Sequence, residues 1–222
     1  MPKIPIPLAL GASLLAGCTS SPAPRATHAP TTAPSPVAND NLNAVAWMQT
    51  AIEHDLIFRE VYRDAGEKLL RALTDPDWDA LPHDERKNAV RGLKPAVILD
   101  IDETVLDNSP YQARLVAHGG EYNEATWAAW CREQAARPLP GALAYTRLAA
   151  ARGVTVFYLS NRAQDLNDAT LANLRADGFP LVVGEEVFRC RGKVFPGCEQ
   201  IGTEKTCRRE WIGAHYRVLA QI

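Results

Sequence analysis

The sequence lacks any run of basic residues and, beyond its first residues, any long apolar run. Its 24 Lys and Arg residues and 26 Asp and Glu residues are mixed along the chain and leave a formal net charge of −2. Such a chain offers no cationic surface for nucleic acid or for an anionic membrane, so we expect neither as a partner. No segment beyond the N-terminus has about 18 consecutive apolar residues, the length that a membrane-spanning helix needs.

Metal-ligand spacing is also missing among the cysteines and histidines. The chain has no C-x2-C pair, and its five histidines lie far apart, so a zinc site is not expected. Cys131, Cys190, Cys198 and Cys207 are an even set once Cys18 is set aside. The last three crowd around one loop that contains Gly and Pro, which predicts at least one structural disulfide and leaves three pairings open.

The N-terminus is typical of an exported lipoprotein. Lys3 supplies a positive charge, the segment 4–15 is apolar, and the sequence Leu-Ala-Gly-Cys18 ends it. Residues 1–17 therefore predict a signal peptide, and the tetrapeptide resembles a lipobox in which Cys18 is lipidated. The alternative is an ordinary signal peptide that happens to contain a cysteine. By resemblance to Gram-negative lipoproteins, Thr19 and Ser20 favour an outer-membrane anchor facing the periplasm or the cell surface.

Beyond the leader, the sequence predicts a tether and one catalytic domain. Residues 18–40 are rich in Pro, Ala, Ser and Thr and have no apolar periodicity, which is typical of a flexible tether. A long amphipathic helix is expected from Leu42 to Leu73. The remaining length and the 46% hydrophobic composition suffice for one core, so we assign a single domain to residues 41–222, with a small cap.

Four short apolar segments alternate with helical ones in that domain. This order predicts an α/β fold, a parallel sheet flanked by helices on both faces. The expected strands are 96–99, 154–159, 181–183 and 216–222.

Three polar clusters lie where such strands end or where a helix begins. Asp100 and Asp102 follow the first strand, Ser160 follows the second, and Lys205 begins the helix before the last one. Because ligands bind beyond the carboxyl ends of parallel strands, all three clusters are expected at one pocket. Taken singly, each has a plainer interpretation, as a solvated loop, a turn or a surface lysine.

Together the clusters suit phosphoryl transfer to a carboxylate. Asp100 would attack phosphorus in line, and Asp102 is near enough to protonate the leaving oxygen and then activate water. Ser160 would hold phosphate oxygens, and Lys205 would neutralise their charge. A cation with hard oxygen ligands, Mg²⁺, would screen the nucleophile.

These clusters, in this order, resemble the bacterial class C acid phosphatases, subfamily IIIB of the haloacid dehalogenase (HAD) superfamily. The resemblance covers roughly Leu42 to Ile222. It rests on these segments: Asp100-Ile-Asp-Glu-Thr-Val-Leu-Asp-Asn-Ser-Pro-Tyr111, Trp47-Met-Gln, Trp127 with Trp130, Pro138-Leu-Pro-Gly-Ala142, Phe157-Tyr-Leu-Ser-Asn-Arg162, and Lys205 near Arg208-Arg209.

The resemblance implies a Rossmann-like core with a mostly helical additional region, Mg²⁺ dependence, and hydrolysis of phosphomonoesters, commonly 5′-nucleotides. It makes Asp100 the nucleophile and Asp102 the acid/base, with the Asp100 carboxylate and the Asp102 carbonyl as metal ligands and Ser160 and Lys205 as phosphate ligands. Asn161 and Arg162 receive no role. The possible leaving-group pocket is formed by Tyr111, Trp127 and Trp130.

One feature of the family is missing from the sequence. Its last strand leads into a Gly-Asp-x-x-x-Asp motif that completes the magnesium site, whereas this sequence stops at Ile222. A further metal ligand is therefore expected beyond Ile222, and the sequence as given is expected to bind Mg²⁺ poorly and to have little activity. The full-length protein is expected to be active.

Two other functions fit the same motifs. A non-catalytic surface lipoprotein would keep the fold and bind phosphorylated ligands. A HAD phosphotransferase or mutase shares the D-x-D motif, but such enzymes are usually cytoplasmic, so the export signal argues against that function.

Overall fold

A parallel four-stranded sheet is the centre of the part of the chain that the structure describes. A computed structural model describes residues 39–182, 186–192, 198 and 203–222. The predicted signal peptide and nearly all of the predicted tether lie outside these residues, as does Cys18. The helices are α1 (Leu42–Thr50), α2 (Ile52–Thr74), α3 (Ser109–His118), α4 (Glu124–Glu133), α5 (Ala142–Ala151), α6 (Asn167–Ala176) and α7 (Thr206–His215). The strands are β1 (Lys94–Leu99), β2 (Leu106–Asp107), β3 (Arg137–Pro138), β4 (Thr155–Ala163), β5 (Phe188–Arg191) and β6 (Tyr216–Gln221), and short 3₁₀ helices cover His83–Glu85 and Gln164–Leu166.

The sheet has the strand order β5-β4-β1-β6, with every neighbouring pair parallel. β1 is central, and its residues alternate between two hydrophobic clusters. Val97 and Leu99 pack into the larger cluster with residues of α2, α4, α5 and α6, whereas Ala96 and Ile98 pack into the smaller one with Ile212 of α7. Helices thus cover both faces, which confirms the predicted α/β class.

A mostly helical region is inserted between β1 and β4. It contains α3 and α4, and β2 pairs with β3 as a small antiparallel ribbon on either side of those helices in the chain. Gly141 connects this region to α5 with φ of +90°, and a Cβ there would lie 2.9 Å from Cβ of Tyr62. Only glycine therefore allows α2 to approach the start of α5 this closely.

The predicted third strand was wrong. Leu181 and Val182 are in no strand, Val183 lies outside the described residues, and β5 is instead formed by Phe188–Arg191. The strand was not predicted because its arginine residues interrupt any apolar run in the sequence. Arg189 is nevertheless buried, with its guanidinium carbon 3.9 Å from the ring centroid of Trp211 on α7.

The predicted first helix is two helices. Ala51 takes an extended conformation, with ψ of 126°, between α1 and α2. No Pro or Gly marks this break, so the apolar periodicity passes through it unchanged. Within the described residues, we find no helix with both the length and the apolarity needed to cross a membrane.

Among the described residues, one disulfide is found around the predicted loop. Cys198 and Cys207 are bonded, which ties the first turn of α7 to the segment that precedes it. Cys131 and Cys190 are buried free thiols. Burial raises the pKa of the Cys131 thiol to about 11, so this thiol stays protonated and packs as a small apolar group.

Candidate active site

The loop after β1 is a tight turn that directs its polar side chains beyond the sheet edge. The carbonyl of Ile101 accepts hydrogen bonds from the backbone N–H groups of Val105 and Leu106, each at 2.9 Å. From α2, the Tyr62 hydroxyl donates to the carbonyl of Thr104 at 2.6 Å. Glu103 has a φ of +53°, a left-handed conformation that a non-glycine residue seldom adopts. The loop is thus fixed by the core beneath it.

Asp100 and Lys205 meet at this edge. Lys205 Nζ lies 2.5 Å from Asp100 Oδ2, and Asp100 Oδ1 accepts from the N–H of Ile101 at 2.7 Å. Both side chains are partly exposed, at 34% for Asp100 and 21% for Lys205. A carboxylate in contact with an ammonium and open to solvent can receive an anionic substrate, because the ammonium offsets the repulsion between the two anions.

Ser160 and Asp102 form the second contact across the strands. The Ser160 hydroxyl donates to Asp102 Oδ2 at 3.3 Å and accepts from the N–H of Arg162 at 3.0 Å. The strand that carries Ser160 is longer than predicted, since β4 runs on to Ala163 with a shift in its pairing to β5 after Leu159. On its other side, β4 pairs with β1 up to Leu99 and Tyr158, so Ser160 comes two residues later, beside the β1 loop.

Arg208 connects the Lys205 helix to the Ser160 strand. It donates to the carbonyl of Ser160 at 2.7 Å and to Asn161 Oδ1 at 2.8 Å, and it is buried. Burial lowers the pKa of the Arg208 guanidinium. The three predicted clusters therefore come together, held by an arginine that the sequence interpretation quoted only as a neighbour of Lys205.

Two further residues, Arg162 and Asn108, donate hydrogen bonds to the Asp102 carboxylate. Arg162 donates to Asp102 Oδ1 through Nε at 3.0 Å and through Nη2 at 2.8 Å. Asn108 donates to the same oxygen at 3.0 Å, and its own Oδ1 accepts from the Trp130 indole N–H at 2.8 Å. Sequence reasoning assigned no role to Arg162 and did not single out Asn108, although Asn108 lies within the quoted first motif.

Glu103 is a third carboxylate of the loop, and its side chain accepts hydrogen bonds from Asn108. Its Oε1 accepts the backbone N–H of Asn108 at 2.9 Å. Burial raises the pKa of Glu103, the hydrogen bonds from Asn108 oppose that rise, and the neighbouring carboxylate of Asp102 adds to it. Glu103 therefore closes the turn between the loop and α3.

A cavity of about 280 Å³ opens beside Asp102 and Arg162, and Trp127 forms part of its wall. Of the other two predicted pocket residues, Trp130 is buried with its N–H on Asn108, and the buried Tyr111 hydroxyl faces Thr126 Oγ1 at 3.0 Å. Among the residues that the structure describes, neither lines this cavity. Larger cavities of about 450 and 410 Å³ lie along α2 and α5 and between α3 and α4, away from both aspartates.

The Asp100 carboxylate and the Asp102 main-chain carbonyl offer hard oxygen donors of the kind that Mg²⁺ prefers. Nowhere in the described parts of the chain do three or more His, Cys, Asp or Glu side chains gather as a metal cluster. Mg²⁺ commonly takes only one or two protein carboxylates and fills its shell with water and substrate phosphate. The donors at this edge fit that kind of site.

Comparisons with known proteins agree on one family. The model of the HAD superfamily, subfamily IIIB (acid phosphatase), matches residues 10–222. The structure of the class C acid phosphatase from Bacillus anthracis matches with a TM-score of 0.65 and 31% identity, over 80% of this chain and 65% of that one. The crystal structure of the Bacillus anthracis class C enzyme with tungstate bound matches with a TM-score of 0.66 and 30% identity, over 82% of this chain and 67% of that one. The chain thus spans about two thirds of the length of these relatives.

Proposed function

The chain belongs to subfamily IIIB of the HAD superfamily, the acid phosphatases, and from this membership and the site geometry we propose that the full-length protein is a phosphomonoesterase that works through an aspartyl-phosphate on Asp100. The observation that carries the proposal is the meeting of Lys205 with Asp100 at 2.5 Å and of Ser160 with Asp102 at 3.3 Å. Three separate segments of the chain supply these groups, and together they match what phosphoryl transfer to a carboxylate needs.

In the first step, a carboxylate oxygen of Asp100 attacks phosphorus, and the bond from phosphorus to the ester oxygen breaks. The ester oxygen keeps the electron pair of that bond and takes a proton from Asp102. Lys205 stays beside the charge that Asp100 and the phosphoryl oxygens share. The Ser160 hydroxyl, buried between Asp102 and the N–H of Arg162, is placed to hold one phosphoryl oxygen.

In the second step, water attacks the phosphorus of the aspartyl-phosphate. Asp102, now a carboxylate, accepts a proton from that water, and the bond from phosphorus to Asp100 breaks to release orthophosphate. Both aspartates return to their starting protonation states, so the cycle balances. Tungstate is a tetrahedral oxyanion, like phosphate, so its presence in the Bacillus anthracis structure supports an oxyanion site in this family.

A divalent metal, Mg²⁺, completes the proposal. The Asp100 carboxylate and the Asp102 main-chain carbonyl would hold it, with further ligands from beyond Ile222. When bound, it supplies positive charge that neutralises the phosphoryl oxygens. Trp127, in the wall of the cavity beside Asp102, offers an aromatic face to a leaving group, which supports 5′-nucleotides among the substrates.

We expect chelation to remove the activity of the full-length protein. With excess EDTA, the rate of phosphate release from p-nitrophenyl phosphate should fall by at least about 100-fold, because a bound metal contributes several kcal/mol to stabilising the transition-state charge. Added Mg²⁺ should restore the rate, and EDTA already saturated with Mg²⁺ is the matched control. A rate that EDTA leaves unchanged would contradict the metal assignment. Binding of orthophosphate without any turnover would favour the non-catalytic alternative.

We also propose that Cys18 anchors the protein to the outer membrane. The lipobox-like sequence before Cys18 supports this, because a lipidated N-terminus with two or more acyl chains is stably held by a bilayer. In cells that express the full-length protein, Cys18→Ala should move it from the membrane fraction to the soluble fraction. Cys131→Ala, at a buried cysteine within the domain, is the control. Retention of Cys18→Ala in the membrane fraction would show that lipidation is not the anchor.

A further inference from the structure

The two carboxylate oxygens of Asp102 have different surroundings. Oδ1 accepts three N–H donors, two from Arg162 at 3.0 and 2.8 Å and one from Asn108 at 3.0 Å. Oδ2 meets only the Ser160 hydroxyl among the hydrogen bonds of the described residues, at 3.3 Å. The Asp102 side chain is 25% exposed, whereas the Arg162 side chain is 1% exposed. One oxygen is therefore turned inward and saturated, and the other is left for chemistry.

The donors on Oδ1 decide where a proton can reside. An oxygen that already accepts three N–H groups has no lone pair left to bind a proton, and an added hydrogen would point at the hydrogens of those donors. Arginine is always charged, and its nitrogens only donate hydrogen bonds. Arg162 therefore cannot become an acceptor for a proton placed on Oδ1. In the acid form of Asp102, the proton must therefore lie on Oδ2.

Arg162 is itself fixed by a buried set of contacts. Its Nη1 donates to Thr170 Oγ1 at 3.2 Å, and its guanidinium carbon lies 5.4 Å from the ring centroid of Trp127. Asn108, 1% exposed, is held in turn by the Trp130 N–H at 2.8 Å. These side chains come from the residue before α3 and from α4, β4 and α6, so the position of Asp102 depends on the packing of the helical region against the sheet.

We propose that Arg162 is a positioning residue which, with Asn108 and Trp130 behind it, orients Asp102 so that Oδ2 alone carries the proton that passes to the leaving group. The inference rests on the proposed function and extends it to residues that act on the reaction through Asp102. The proton moves from Asp102 Oδ2 to the ester oxygen, which receives the electron pair of the breaking bond to phosphorus. The carboxylate that remains stays paired with Arg162.

The dependence on the leaving group tests this role in the full-length protein with Mg²⁺. An alkoxide needs a proton as it departs, whereas p-nitrophenolate is stable without one. Arg162→Lys should therefore lower kcat/KM by on the order of 100-fold on glycerol 2-phosphate but by less than about tenfold on p-nitrophenyl phosphate. The value of kcat/KM is used because it reports the step in which the leaving group departs and excludes the later hydrolysis. Arg91→Lys, at an exposed arginine paired with Asp77 before β1, is the matched control and should change neither value.

A double variant tests whether Arg162 acts through Asp102 or only stabilises the fold. In an Asp102→Asn background, adding Arg162→Lys should cost less than about threefold on glycerol 2-phosphate, because the residue it positions no longer transfers a proton. If Arg162→Lys lowered kcat/KM by the same factor in the Asp102→Asn background as in the wild-type protein, the inference would be overturned. It would also be overturned if Arg162→Lys alone lowered kcat/KM equally on the two substrates. If wild-type protein releases phosphate from neither substrate, the proposed function fails instead.

A milder variant decides the matter if Arg162→Lys does not fold. Trp130→Phe keeps the aromatic packing and removes only the N–H that holds Asn108. We expect it to lower kcat/KM on glycerol 2-phosphate by about fivefold, in line with the loss of one hydrogen bond of about 1 kcal/mol, and to leave p-nitrophenyl phosphate unaffected. If Trp130→Phe lowered kcat/KM by the same factor on both substrates, the inference would be overturned.

Discussion

Asp100→Asn is expected to lower phosphate release from p-nitrophenyl phosphate by on the order of 10⁵-fold in the full-length protein with Mg²⁺. The amide nearly matches the carboxylate in shape, but it carries no charge and is a poor nucleophile. It also loses the charge attraction to Lys205, whose Nζ lies 2.5 Å from Asp100 Oδ2. Steady-state rates measure the loss, and acid quenching with ³²P-labelled substrate should detect phosphate bound to the wild-type protein and none bound to the variant.

The control for this change is Asp77→Asn. Asp77 is an exposed aspartate that pairs with Arg91 before β1, so its replacement should leave the rate and the labelling unchanged. Because the pair of Asp100 and Lys205 is partly exposed, its loss should cost little stability, and thermal unfolding should show Asp100→Asn to be folded. Undiminished turnover by a folded Asp100→Asn protein would rule out Asp100 as the nucleophile.

The fold was predictable where burial requires a continuous apolar sequence. β1, β4 and β6 lie in the sheet interior or pack on both faces, and their Val, Ile and Leu runs indicate this. β5 lies at the sheet edge, and its buried Arg189 is accommodated by stacking on Trp211 of α7. That compensation comes from a residue 22 positions further along the chain, so no local pattern reveals the strand.

In the candidate site, the meeting of the reactive groups was predictable from the sequence. Asp100, Ser160 and Lys205 meet because the ends of parallel strands and the start of a following helix share one edge of the sheet. The residues that hold these groups were not predictable. Arg162 reaches Asp102 across 60 positions of sequence, and its choice of Asp102 Oδ1 depends on how the helical region packs. The two tryptophans could not be told apart from the sequence either. Trp127 lines the cavity and Trp130 donates its N–H to Asn108, but their spacing of three residues does not predict which does which.

Lys205→Met is expected to lower kcat/KM for p-nitrophenyl phosphate by on the order of 10³-fold, the second largest effect that the site predicts. Methionine keeps most of the length of the side chain but removes the positive charge beside Asp100. An anionic substrate would then approach the Asp100 carboxylate without the ammonium that contacts it, so both binding and transfer should suffer. The inhibition constant of orthophosphate, a competitive product, should rise by at least about tenfold by the same reasoning.

Lys94→Met provides the matched comparison for that variant. Lys94 is an exposed lysine that begins β1, at the edge of the sheet opposite Asp100, so its loss changes the net charge equally without touching the site. A similar fall in both variants would mean that the overall charge of the protein, not a contact with Asp100, governs the rate. If Lys205→Met alone stayed within about threefold of wild type, the phosphate-binding role would be lost and Arg208, buried beneath Ser160, would be the remaining cation from α7 near the reacting groups.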